Sequence, residues 1–256
     1  MLKTRIIPCL LLRGAGLVKT VKFKDPTYVG DPINAVRIFN EKEVDELLVL
    51  DVDASRVGRE PNYDLIEQFA GECFMPLGYG GGISSVEQAG RLFSIGVEKV
   101  SVQTAALDDL SLVTEIAALY GNQSVIVSID VKKNLVGQHK LYTAASGKTL
   151  RRDWKSFLTE AVAAGAGEIL VNSVDRDGTL SGMDLPLIEA AAALCTIPLI
   201  ACGGIGSLAD IKAAVTAGAS AVAAGAFFVY YGPHRAVLIT YPKYNDLIDL
   251  LNSGVK

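Results

Sequence analysis

The sequence predicts an α/β fold, a single (β/α)8 barrel over residues 1–256 built from two similar half-barrels. Three observations predict it. Eight short apolar runs alternate with stretches of helical period along the whole chain. The length suits one closed barrel. A glycine turn after the third run recurs after the seventh. An open doubly wound sheet is the alternative fold, but it usually has fewer strands, and no GxGxxG follows the first run.

The strands are expected at residues 5–12, 46–52, 75–79, 99–103, 125–130, 168–173, 198–202 and 221–224. After the first comes "RGAGLVKT", read as a glycine-rich loop that carries Lys19 over the barrel mouth. The amphipathic runs at 32–44, 63–73, 86–96, 112–121, 154–165, 185–195 and 208–218 are read as the intervening helices. Residues 131–151 are polar and lack a helical period, which fits a small hairpin or mobile loop. "RAVLITY" has strand character, and the last helix is expected to begin near Tyr244.

The repeat joins "PLGYGGGISS" to "PLIACGGIGS" at an offset of 122 residues. The same offset pairs Gly96 with Gly218 and Val100 with Val222. Asp51-x-Asp53-x-Ser55 similarly echoes Asp175-x-Asp177-x-Thr179. Strands two to four therefore resemble strands six to eight.

A chain that is 50% hydrophobic and 20% charged can build a large core. A net charge of −4 leaves no footprint for nucleic acid or an anionic membrane. No apolar run approaches the ~20 residues of a membrane span. The N-terminal stretch is read as the first strand, because its apolar run is short and holds Pro8. Cys9, Cys73, Cys195 and Cys202 lack CxxC spacing and read as reduced thiols of a cytoplasmic protein. His139 and His234 stand apart, so no metal site is expected, and no cofactor.

Gly81-Gly82 and Gly203-Gly204 end strands three and seven, at the face where βα loops build active sites. Glycine lets backbone N–H groups close on a phosphate, and a following helix N-terminus favours the anion. Two repeated turns point to two phosphate sites; tight turns alone would also use glycine. Ser85 and Ser207 stand as candidate N-caps. Asp130 ends "SVIVSID" and is expected to face the mouth as an acid, a base or a holder of a hydroxyl. Asp53 is read as structural. Arg5, Glu46, Lys99 and Glu168 begin four strands. Parity puts Arg5–Cys9–Leu11, Lys99–Ser101–Gln103 and Glu168–Leu170–Asn172 each on one face. Either that face is inward and the charges ring the floor, or they are solvated strand starts.

"RIIPCL", "DELLVLDVDAS", "GGGI", "KVSVQTAA", "VSID", "GAGEIL", "DRDGT" and "PLIACGG" together resemble the HisF family, the cyclase subunit of imidazole glycerol phosphate synthase, from residue 1 to about 226. The resemblance implies a (β/α)8 TIM barrel that takes ammonia at its floor from a HisH-like glutaminase. It implies that Arg5, Glu46, Lys99 and Glu168 are the ammonia gate. It further implies that Gly81, Gly82, Gln103, Thr104, Asp177, Gly178, Gly203, Gly204, Gly225 and Lys19 bind a phosphorylated small molecule, with Asp130 as one of two catalytic carboxylates.

The departures lie at the mouth. Where the family has "PCLD", this chain has "PCLL", so Leu11 stands at the place of the other catalytic Asp. The family's Asn is Gln103, its Thr is Asn172, its last phosphate-turn Ser is Ala226, and its "NTG" is absent after Gly147-Lys148. Leu11 cannot move a proton, and one such group is worth ~10²–10⁴ in rate. The stretches "GLVKTVKFKDPTYVGDPINAVRIFNEKEVDELLVLD" and "FFVYYGPHRAVLITYP" resemble a branch associated with surface-sugar amidation. That branch implies ammonia for an N-acetyl sugar amidotransferase in lipopolysaccharide O-antigen synthesis. The alternative is the ordinary cyclase of histidine biosynthesis.

Overall fold

The computed structural model describes residues 4–252 and closes eight parallel strands into a barrel. They are β1 (Arg5–Arg13), β2 (Leu47–Asp51), β3 (Leu77–Gly80), β4 (Lys99–Val102), β5 (Val125–Lys133), β6 (Glu168–Ser173), β7 (Leu199–Cys202) and β8 (Ala221–Ala224). Each pairs with its sequence neighbours, and β8 closes on β1 with Arg5 opposite Ala221. The longer helices around them, among the described residues, are α1 (Pro32–Glu41), α2 (Tyr63–Ala70), α3 (Val86–Ser94), α4 (Ser111–Tyr120), α5 (Trp154–Ala163), α6 (Leu185–Ala192), α7 (Leu208–Thr216) and α8 (Tyr244–Asn252).

The strand boundaries differ from expectation by one or two residues except at two places. The stretch after β1 is not a loop. Gly16–Val21 and Lys24–Gly30 form an antiparallel hairpin that pairs back onto β1. Lys22 and Phe23 turn it with φ of 53° and 63°, a conformation that few non-glycine residues adopt and that composition does not announce. The expected polar hairpin exists: β5 runs on to Lys133 and pairs with His139–Thr143, which pairs with Lys148–Thr149. "RAVLITY" contributes only Ala236–Val237, paired with Tyr230–Tyr231.

Alternation sorts the side chains into two cores. The outer one lies between strands and helices. The inner one fills the barrel with Ile7, Cys9, Leu48, Ile126, Leu170, Ile200, Ala221 and Ala223, joined by Leu11, Leu50 and Cys202. Leu11 therefore points inward, on the face shared by Arg5 and Cys9. Strand β3 sends only Gly78 and Gly80 inward, because a Cβ there would meet Leu48 at 2.9 Å and Leu50 at 2.8 Å.

The repeat is visible in detail. Gly81 and Gly203 take φ of 114° and 95°. A Cβ on Gly203 would lie 2.7 Å from Ser173 O, and one on Gly81 would strike Asp51 O. Ser85 and Ser207 cap α3 and α7 by accepting from Gln88 N and Asp210 N, each at 3.3 Å. At the other end, Cys73 and Cys195 donate their thiols to Met75 O at 3.3 Å and Ile197 O at 3.2 Å.

Ser207 also shares a reciprocal capping box with Asp210. Ser207→Ala is expected to destabilise the fold by about 0.5–2 kcal/mol, read from urea unfolding.

Candidate functional site

At the floor, the four strand-start charges come together inside the barrel. Arg5 Nη1 donates to Glu46 Oε2 at 2.5 Å and lies 3.0 Å from Glu168 Oε1. Lys99 Nζ reaches Glu46 Oε2 at 2.8 Å and Glu168 Oε1 at 3.0 Å. Two cations thus alternate with two anions, which is how charges survive burial. Burial opposes the charge on Arg5, but Glu168 and Glu46 outweigh it and hold the guanidinium pKa above its ordinary value. A depression of about 400 Å³, lined by Arg5, Lys99, Glu168 and Pro198, opens below the ring.

At the mouth, Asp130 projects inward from β5 and is buried. Gln103 Nε2, just past β4, donates to its Oδ2 at 2.6 Å, and Asn172 Nδ2, on β6, to its Oδ1 at 3.3 Å. Burial pushes the Asp130 carboxyl up to about 7, although both amides favour the anion. Asn172 Oδ1 is itself buried without a partner. Leu11 and Leu50 supply hydrocarbon at this end of the interior.

The hairpin after β1 lies across this end. Lys19 is in a strand, not on a loop, and is buried; its Nζ donates to Cys9 O at 2.5 Å. Burial lowers its pKa, while Cys9 and Asp177 partly restore it. Thr20 Oγ1 donates to Asp177 Oδ2 at 3.3 Å, and Lys22 N to Asp177 O at 2.9 Å. Burial raises the pKa of Asp177 against the pull of Lys19. Phe23 meets Tyr142 of the second hairpin edge-on at 5.9 Å between ring centres. Hairpins from opposite sides of the barrel thus touch over Asp130.

The glycines around the mouth differ in what surrounds them. Gly82, Ser84, Ser85 and Thr104 line an open groove of about 960 Å³. Gly178 and Gly225 are filled by the chain itself: a Cβ would strike Thr20 O at the first and Lys19 Nζ at the second. Gly203 and Gly204 pack on Ser173 and Gly182. Gly81 is pressed onto Asp51, whose carboxylate caps Ala54 N at 3.0 Å and holds Arg59 at 2.8 Å. Asp53 pairs with Arg13 at 2.7 Å and Arg56 at 2.9 Å.

Three groupings escaped the sequence reading. Cys9 and Cys202 meet inside the barrel, and their interaction pulls the Cys9 pKa down and pushes that of Cys202 up. Asp184, buried before α6, holds Lys133 Nζ at 2.7 Å and His139 Nε2 at 3.0 Å. These partners keep its pKa low against burial. The Asp before Leu-Pro at a helix start was the available signal. The third is the unpaired Asn172 oxygen. Among the described residues, no group of three or more His, Cys, Asp or Glu side chains could hold a metal ion. No helix among them is long and apolar enough to cross a membrane.

The profile of the family described as "Histidine biosynthesis protein" matches residues 5–234. The chain is 56% identical to the "Putative imidazole glycerol phosphate synthase subunit hisF2" of Pseudomonas aeruginosa, over 96% of this chain and 99% of that one. It is 50% identical to the "Putative imidazole glycerol phosphate synthase subunit HisF" of Leptospira interrogans, over 96% and 98%. With the "Imidazole glycerol phosphate synthase subunit HisF" of Streptococcus sanguinis it shares 39%, over 91% and 92%.

The raised carboxyl has a pH signature. Between about pH 4 and 7, folded Asp130 keeps a proton that the unfolded chain has released, so its contribution to stability falls as pH rises. Asp130→Asn removes that loss. Its stability relative to the parent is expected to be on the order of 2 kcal/mol more favourable at pH 8 than at pH 5, measured by urea unfolding at the two pH values.

Proposed function

The chain belongs to the histidine biosynthesis protein family, and on that premise we propose that it is a HisF-like subunit that passes on ammonia without closing an imidazole ring. In this reading a HisH-like glutaminase docks under the floor and releases ammonia at the ring of Arg5, Glu46, Lys99 and Glu168. The ammonia travels up the barrel axis in the cytoplasm and serves the amidation of an N-acetyl sugar in lipopolysaccharide O-antigen synthesis.

The carrying observation is the contrast between the two ends of the barrel. The floor keeps four mutually paired charges around the axis. At the mouth, Leu11 puts hydrocarbon on the interior face where the family has a carboxylate. Cyclisation needs several proton transfers, and of the family's two catalytic carboxylates Asp130 alone remains, with both its oxygens already accepting amide N–H groups. Conducting a neutral nucleophile asks for much less. The interior above the ring carries Ile7, Leu48, Ile126, Ala221 and Ala223, a lining that disfavours ammonium over ammonia.

The second reading is the cyclase of histidine biosynthesis, favoured by the Streptococcus sanguinis relative's name. Its phosphorylated substrate would span the glycine turns around Asp130.

Two experiments separate the readings. With purified glutaminase and the cyclase substrate, this chain is expected to turn over at least about 10²-fold more slowly than an authentic cyclase; comparable turnover overturns the proposal. Rescue of a histidine auxotroph lacking the cyclase would do the same. For the gate, Glu46→Gln weakens the hold on both Arg5 and Lys99. It is expected to reduce glutamine-dependent transfer to the sugar by about tenfold, the size of a 1.4 kcal/mol effect, while transfer from added ammonium salt is kept.

A further inference from the structure

The hairpin that prolongs β5 is built as a display. Residues 131–152 hold six Lys and Arg and no Asp or Glu, in a chain whose net charge is −4. At the tip, Leu135 is fully exposed and Val136 is 77% exposed. The turn that carries them is closed by hydrogen bonds. Asn134 Oδ1 accepts from Val136 N at 3.1 Å and Gln138 N at 2.9 Å, and Gly137 takes a φ of 80°. The stem is pinned as well. Lys133 N donates to Asp175 Oδ2 at 2.7 Å, and Asp184 holds Lys133 and His139. Two aliphatic side chains are thus held in water on a preorganised turn, beside the exposed Lys140, Lys148 and Arg151.

We propose that this turn docks the enzyme that receives the ammonia, with Leu135 and Val136 entering an apolar pocket rimmed by acidic side chains. The inference rests on the ammonia-conducting function above. The hairpin rises from the C-terminal end of β5, beside Asp130, so a partner seated on it covers the end of the barrel opposite the glutaminase. The charge fixes the partner's chemistry: a patch this basic meets an acidic face. A protein is favoured over a lipid surface because ammonia must pass into an acceptor site out of contact with water. A second copy meeting it across a two-fold axis would set this basic patch against itself, which like charges oppose.

The test uses the chain with its glutaminase and a purified N-acetyl sugar amidotransferase, binding being read by biolayer interferometry. The double variant Leu135→Asp/Val136→Asp is expected to weaken binding to the amidotransferase by about 30-fold or more. Its affinity for the glutaminase and its thermal midpoint should stay unchanged. Lys140→Glu/Lys148→Glu should slow association by roughly tenfold at low salt and less at high salt. Transfer and binding by the parent chain with neither variant affected overturn the docking turn alone. Absence of both binding and transfer by the parent overturns the conducting function too. Self-association of the parent, lost in the apolar variant, assigns the turn to a second copy and overturns the proposal. So does co-sedimentation of the parent, but not the variant, with 3:1 phosphatidylcholine/phosphatidylglycerol vesicles.

Discussion

Four charges stand inside the lower end of a closed sheet, where none of them could stand alone. Removing an ion from water costs several kcal/mol even after relaxation. Arg5, Lys99, Glu46 and Glu168 offset that cost by facing one another, each cation between two carboxylates. The requirement fixes more than the floor. Once residue 5 points inward, alternation sends Ile7, Cys9 and Leu11 inward too, and the same holds along β4 and β6. The ring therefore sets the phase of every side chain up to the mouth. One Glu46 oxygen is left buried without a partner, so the pairing is not saturated.

Much of this was legible beforehand because parity is a property of the chain and needs no partner to be read. Arg5–Cys9–Leu11 could be placed on one face from spacing alone. Whether that face was inside could not, since a charged strand start is equally at home in water; the family resemblance tipped the choice. The hairpin after β1 was missed for a different reason. Its glycines look like a loop, and its turn uses Lys22 and Phe23 in left-handed conformations that composition does not mark. With it went the burial of Lys19, whose environment is supplied by Cys9, Asp177 and Gly225, far apart in sequence. The Asp184 clasp and the Cys9–Cys202 contact are likewise long-range meetings; the Asp before Leu-Pro marks a helix start but not the partners that meet there.

The mouth shows how one environment can hold a carboxyl without using it as an ion. Asp130 sits among Gln103, Asn172 and hydrocarbon, and its pKa near 7 reflects burial winning over two amide donors. A second carboxylate at position 11 would have added repulsion and raised one pKa further. With leucine there, Asp130 loses a proton partner, and the interior loses a reason to hold water.

The two repeated turns are packed alike: a Cβ on Gly82 would strike Arg59 O, and one on Gly204 would strike Gly182 O. Elsewhere at the mouth, Gly178 and Gly225 lie against Thr20 O and Lys19 Nζ of the hairpin after β1. Any molecule that needed the space beside Gly225 would reach it only in that fraction of barrels whose hairpin had lifted. Its apparent dissociation constant would be the intrinsic one divided by that fraction. A molecule that leaves that space alone escapes this penalty, so the hairpin sets a cost on how far into the mouth any guest extends.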